Sequence, residues 1–161
     1  DRGWLNRQSS AIGGIAAYFE VGSSNTNVGS ITTTATTTAF VTTSDYRLKE
    51  NIVPMTGALA KVSALKPVTY NWKVDGSSSQ GFIAHELAEV SPECVGGEKD
   101  AVDADGNPKY QGVDTSFLVA TLTAAIQEQQ AIIETNDQQI QDKIDSLLKR
   151  IEQLESHISD D

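Results

Sequence analysis

Ser44 and Lys49 stand five residues apart in the stretch Thr42-Thr43-Ser44-Asp45-Tyr46-Arg47-Leu48-Lys49-Glu50-Asn51-Ile52. A serine hydroxyl beside a lysine amine is the material of a Ser-Lys dyad, in which a neutral amine takes the hydroxyl proton and activates the oxygen as a nucleophile. Lysine does this only where burial brings its pKa toward about 7–8, from about 10.4 in water. On residue types alone the pair carries little information. Most chains contain several such pairs, and a solvated Lys49 with Ser44 capping a turn or helix is the simpler reading. Spacing adds a condition. Residues five apart point to opposite faces of a strand and differ by about 140° around a helix. A dyad therefore needs a turn between Ser44 and Lys49, or groups from two chains.

The elements that would position such a pair fall into three stretches of a 161-residue chain of net charge −10. Residues 1–43 carry only Asp1, Arg2, Arg7 and Glu20 and sum to zero, whereas the remainder holds 10 Lys/Arg against 20 Asp/Glu. Composition thus changes at about residue 44, where the Ser/Lys pair stands. The acidic balance argues against nucleic acid as a partner, since phosphate binding needs a basic stripe. A single cysteine, Cys94, excludes an intrachain disulfide framework and a cysteine-rich zinc site. No apolar run reaches the roughly 20 residues of a membrane span, and the first residues do not read as a basic-then-apolar leader. No metal ion or cofactor is expected.

Residues 1–43 are rich in Gly, Ser, Thr and Asn, with Thr32 to Ala39 nearly all threonine. Threonine is β-branched and favours extended backbone, so short strands are expected rather than helix. Apolar residues are sparse: Ile12, Ile15, Tyr18, Phe19, Val21, Val28, Ile31, Phe40 and Val41. Such a stretch is either a Ser/Thr linker or part of an intertwined β-fibre whose chains share one thin core. Residues 44–115 read as a small mixed domain. A helix over Ala58–Leu65 places Leu59, Val62 and Leu65 on one face, and Pro67 stops it. Val68 to Val74 alternates as a strand, Asp75 to Ser79 forms a turn, and Gly81–Ala84 reads as a second, buried strand. A helix over His85–Val90 ends at Ser91-Pro92, and Asp105-Gly106-Asn107-Pro108 turns between two short extended pieces. Tyr70, Trp72 and Phe82 are expected in the core.

In residues 116–161 apolar side chains fall at Val119, Ile126, Ile133, Ile140, Ile144, Leu147, Ile151, Leu154 and Ile158. From Ile140 the spacing is that of heptads, with Ile144, Ile151 and Ile158 at a and Ile140, Leu147 and Leu154 at d. Gln130 and Asp137 are then polar a residues. A seam of this length must pair with other chains or fold back, so an oligomer is expected. Ile at a with Leu at d nominally favours two strands, so heptads alone do not specify a trimer. The fold class is α+β: an N-terminal β-stalk segment, a small globular domain and a long C-terminal coiled-coil helix.

The block SDYRLKENI resembles the opening signature of the C-terminal intramolecular chaperone domain of phage tail fibres and tailspikes. That domain was first recognised in endosialidases and is grouped with self-cleaving serine peptidases. The resemblance continues in order through LKPVTYNW, GFIAHELAEVSPECV and GEKDAVDADGNPKYQGVD to the heptad helix, covering residues 44 to about 158. Residues 1–43 resemble the triple-β-helical stalk that precedes such domains.

The resemblance implies a homotrimer that aligns three chains, lets the stalk wind, and then cuts itself off between Thr43 and Ser44. Ser44 is then the nucleophile, Lys49 the general base, and His85 an auxiliary candidate whose simpler reading is a polar helix start. Asp45 and Asn51 are assigned to turn geometry. The partners are the other copies and the upstream stalk, with neither nucleic acid nor membrane. The chain would be made in the infected host's cytoplasm, with the stalk in the virion tail and the chaperone released. A purely structural fibre without catalysis is the alternative. A sugar-binding tip using Trp72 and Tyr70 is a third reading, one that burial of those rings would remove.

Overall fold

The computed structural model describes residues 14–21 and 26–159. The chain divides into two compact units, Asp1–Val53 and Pro54–Asp161. The architecture is mixed α+β, with small antiparallel sheets and a long C-terminal helix.

In the first unit the threonine-rich segment takes the extended form its β-branching favours. Strands β1 (Gly14–Val21), β2 (Thr26–Thr33) and β3 (Thr38–Thr42) make one antiparallel sheet in the order β1-β2-β3. Thr34 builds the turn between β2 and β3. Its Oγ1 accepts from the N–H groups of Thr36 and Thr37, while its own N–H donates to the Thr37 carbonyl. That turn sets a register in which Thr33 faces Thr38 and Gly29 faces Thr42. Gly29 is required there for space, since a Cβ at this position would lie 2.8 Å from the carbonyl oxygen of Val41. Ile12, counted above among the sparse apolar residues, lies outside the described residues, and of Ile15, Tyr18 and Val21 only the backbone is described.

The second unit is built on small contacts. Helix α1 (Ala58–Ser63) lies on the start of α3 (Leu118–Ser159), with Ala58, Thr121 and Ala125 buried. A second cluster joins Leu87, Cys94 and Leu118, with Leu65, Phe82 and Val95 against it. Burial pushes the Cys94 thiol pKa up, so it behaves as a small core residue. Strand β4 (Val68–Asn71) pairs with β5 (Ser78–Gly81), and α2 (Ala84–Val90) follows. Two-residue strands β6 (Val95–Gly96) and β7 (Gly112–Val113) close the loop between α2 and α3. The turn at Asp105–Pro108 forms as expected, with Asp103 Oδ1 accepting from the N–H groups of Asp105 and Asn107.

Two expectations fail in the hairpin. The alternating strand stops at Asn71 rather than Val74, and its partner is Ser78–Gly81 rather than Gly81–Ala84. Local turn chemistry outweighs the hydrophobic pattern. Gly76 adopts φ 74° and donates to the Trp72 carbonyl, and Asp75 accepts from the Ser77 N–H and hydroxyl. The chain therefore reverses early, leaving Ile83 as the cap of α2 and Trp72 outside the core at 52 % exposure.

Helix α3 spans 42 residues, roughly 63 Å at about 1.5 Å per residue. Its first turns bury Leu118 against Leu87 and Cys94, bury Thr121 and Ala125, and turn Glu128 to α1, while Val119, Ile126, Ile133, Ile140, Ile144, Leu147, Ile151 and Leu154 are all exposed. The heptad seam is thus a stripe distinct from the face used within the chain. The side chain of Ile158 lies outside the described residues.

Candidate functional site: the junction from Thr43 to Asn51

Immediately after β3 the chain leaves the sheet. Thr43 stays attached to it, its N–H donating to the Val28 carbonyl at 3.0 Å. Asp45, extended at φ −66° and ψ 136°, caps a single 3-10 turn over Tyr46–Leu48. Its Oδ1 accepts from the Arg47 N–H at 2.9 Å, and its two carboxylate oxygens take Arg47 Nε and Nη2 at 2.9 and 2.8 Å. This fork supplies two parallel charge-assisted bonds in a fixed geometry. The Leu48 N–H donates to the Asp45 carbonyl and the Lys49 N–H to the Tyr46 carbonyl, both at 3.1 Å.

The turn meets the geometric condition that five-residue spacing imposes. Lys49 Nζ donates to Ser44 Oγ across 2.6 Å, within one chain. Both side chains are exposed in the single chain. Arg47 holds the Asp45 carboxyl pKa below the ordinary carboxylate range, through its guanidinium first and its backbone N–H second. Asp45 in turn raises Arg47. Lys49 is a lesser, coulombic influence on Asp45. Beyond the turn, Asn51 takes φ 52°, left-handed backbone that asparagine tolerates better than most residues. Asp45 and Asn51 therefore both shape the backbone around the pair.

His85 stands elsewhere, half-buried near the start of α2 in the second unit. It lines a cleft of about 970 Å³ with Tyr70, Trp72, Phe82 and Tyr110 among others, none of them a junction residue. Among the described residues, no group of three or more His, Cys, Asp or Glu side chains is arranged to hold a metal ion. No described helix is long and apolar enough to cross a membrane.

The Thr43–Val28 bond was not legible from residue types, because it depends on the register of β2 against β3. The Asp45–Arg47 fork had a signal in an Asp two residues before an Arg, directly after the serine.

Residues 44–96 match the family model described as chaperone of endosialidase, Peptidase S74. That match supports the chaperone-domain resemblance over residues 44–96. No curated protein matches the chain.

Proposed function

We propose that the chain is an intramolecular trimerisation chaperone that directs folding of a phage fibre or tailspike stalk and then releases itself by cutting between Thr43 and Ser44. The observation that carries this reading is the 2.6 Å approach of Lys49 Nζ to Ser44 Oγ at the first residues of the family match. In the working form Lys49 is a neutral amine and accepts the Ser44 proton. Oγ attacks the Thr43 carbonyl carbon. The amide C–N bond breaks as the proton passes from Lys49 to the Ser44 nitrogen, which leaves an ester between Thr43 and Ser44 Oγ. Water then hydrolyses the ester, giving a Thr43 carboxylate, the restored hydroxyl and a free Ser44 amine. The substrate is the adjacent peptide bond, so orientation supplies most of the advantage and no substrate pocket is needed.

Two features support coupling to assembly. A lysine base needs desolvation, and the single chain leaves Ser44 and Lys49 in solvent. Apolar side chains flank them in exposed positions: Phe40 (81 %), Tyr46 (75 %) and Leu48 (73 %), with Ile52 and Val53 beyond. Burial of this surface between copies would dry the pair. The exposed seam of α3 supplies the means of association, and exposed Leu148 widens it at an e position. The partners are then two further copies and the stalk of the same chains. The product stalk stays in the virion tail, while the acidic domain, made in the infected host's cytoplasm, departs.

The test is intact mass after incubation of the full chain beside Ser44→Ala and Lys49→Ala. The expected result is a fragment spanning residues 44–161 from the parent and full-length chains from both variants. Cleavage persisting in Ser44→Ala would end the dyad reading. A second reading, sugar stacking, keeps one observation in its favour, the exposure of Trp72 beside Tyr110 in the cleft. Trp72 fluorescence unchanged by oligosaccharides in the assembled protein would remove it.

A further inference from the structure

We infer that Arg150 of one copy pairs with Glu155 of the next, and that this contact sets neighbouring α3 helices parallel and in register. The inference rests on the proposed assembly through α3 and names the side chains that align the copies. In the heptads defined above, Arg150 falls at g, Ile151 at a, Leu154 at d and Glu155 at e. All four are exposed in the single chain. Arg150 and Glu155 therefore flank one a–d step of the seam, one on each side.

The helix itself does not bring the two together, since residues five apart differ by about 140° around its axis. Nor does it offer Arg150 an acid at the spacings where helix side chains meet. Three and four positions away stand Ser146, Leu147, Gln153 and Leu154. A suitable acid lies on a neighbouring copy. In parallel helices in register, a g side chain meets the e side chain five positions further along its neighbour. For Arg150 that residue is Glu155.

The other charges beside the seam agree. Among the described side chains of α3, the charged g residues are Lys143 and Arg150, and the charged e residues are Glu134 and Glu155. An antiparallel neighbour would set g against g and e against e, bringing like charges together on both flanks. A parallel neighbour sets basic against acidic. A slip of one heptad either way would put Asp137 of one copy beside Ile144 of the other, a carboxylate against an apolar layer.

Charge reversal tests this in the uncleavable Ser44→Ala chain, with association followed by sedimentation. Arg150→Glu and Glu155→Arg should each weaken association at least about tenfold. The double reversal should restore it, and an equimolar mixture of the two single variants, refolded together, should associate better than either alone. At about 1 M salt, where the Debye length is about 3 Å, the single variants should approach the Ser44→Ala chain. Direction is read from Leu154→Cys, which should cross-link between copies on mild oxidation, as d residues meet only in parallel helices in register. The chain without the added cysteine is the control, Cys94 being buried. Unweakened association of both single variants would overturn the inference. So would a double reversal no better than either single one, or an assembled Leu154→Cys protein that does not cross-link. A Ser44→Ala chain that stays monomeric would instead remove the assembly reading, and the pair with it.

Discussion

Glu128 Oε2 accepts the backbone N–H of Leu59 at 2.8 Å, from a residue 69 positions away, while its Oε1 takes the Ala58 N–H at 3.0 Å. Helix α1 begins after Gly57, whose φ of 73° and missing side chain give no cap of its own. The carboxylate of α3 therefore does the work usually done by Ser, Thr, Asp or Asn at the helix start. It fixes the long helix to the start of α1.

Glu128→Ala should lower the melting temperature of the second unit by a few degrees, and Glu128→Gln by less, since one acceptor remains. The N–H groups of Leu59 and Ala58 hold the Glu128 pKa below its ordinary value. Its contribution is thus complete above the unfolded-state pKa of about 4.3 and is lost as pH falls through the lower folded value. Thermal melts of the parent and Glu128→Gln at descending pH check this. Curves that stay parallel below pH 4 would contradict it.

The same reasoning applies at Asp45, where the ion pair with Arg47 keeps the folded pKa depressed. The capped turn is favoured above about pH 4 and weakens as pH drops through the folded value. Asp45→Ala should slow cleavage by at least about tenfold by releasing Lys49 from Ser44. Asp45→Asn keeps an acceptor for the Arg47 N–H and should lose less. Equal rates for all three proteins would show that the turn does not position the pair.

An ester intermediate can be intercepted. Hydroxylamine added during cleavage should convert Thr43 to a hydroxamate in place of a carboxylate, visible in the mass of the 1–43 fragment. The Ser44→Ala chain should be inert to the same treatment. A carboxylate alone at high hydroxylamine would point to direct attack by water instead.

If α3 assembles as proposed, Leu147→Asp should abolish association in sedimentation experiments, because it places a charge at a d position of the seam. Asp137→Ile should act in the opposite sense, raising the melting temperature while loosening oligomer specificity. A single unchanged oligomer by light scattering would count against that role for Asp137.

Legibility from sequence followed the range of the interactions. The long helix was readable because its apolar spacing repeats over many turns, and α1 and α2 because Pro67 and Ser91-Pro92 punctuate them. Alternation from Val68 to Val74 continues through Trp72 and points it into a core, whereas Asp75 and Gly76 turn the chain sooner and leave Trp72 outside it. The pairing of Ser44 with Lys49 was anticipated as a condition on the backbone, and the Asp45 cap supplies it. Glu128 at α1 and Val28 at Thr43 had no local signal, since each depends on tertiary or strand register.

The exposed apolar side chains lie on both sides of the scissile bond, with Phe40 and Val41 before it and Tyr46, Leu48, Ile52 and Val53 after it. While the backbone is continuous, each set is tethered to the other at the high local concentration a short linker imposes. The proposed cut at Thr43–Ser44 would divide that surface between two molecules and remove the tether. Any association between the two sets would then obey ordinary mass action and be lost on dilution, making the proposed departure a one-way event set by volume.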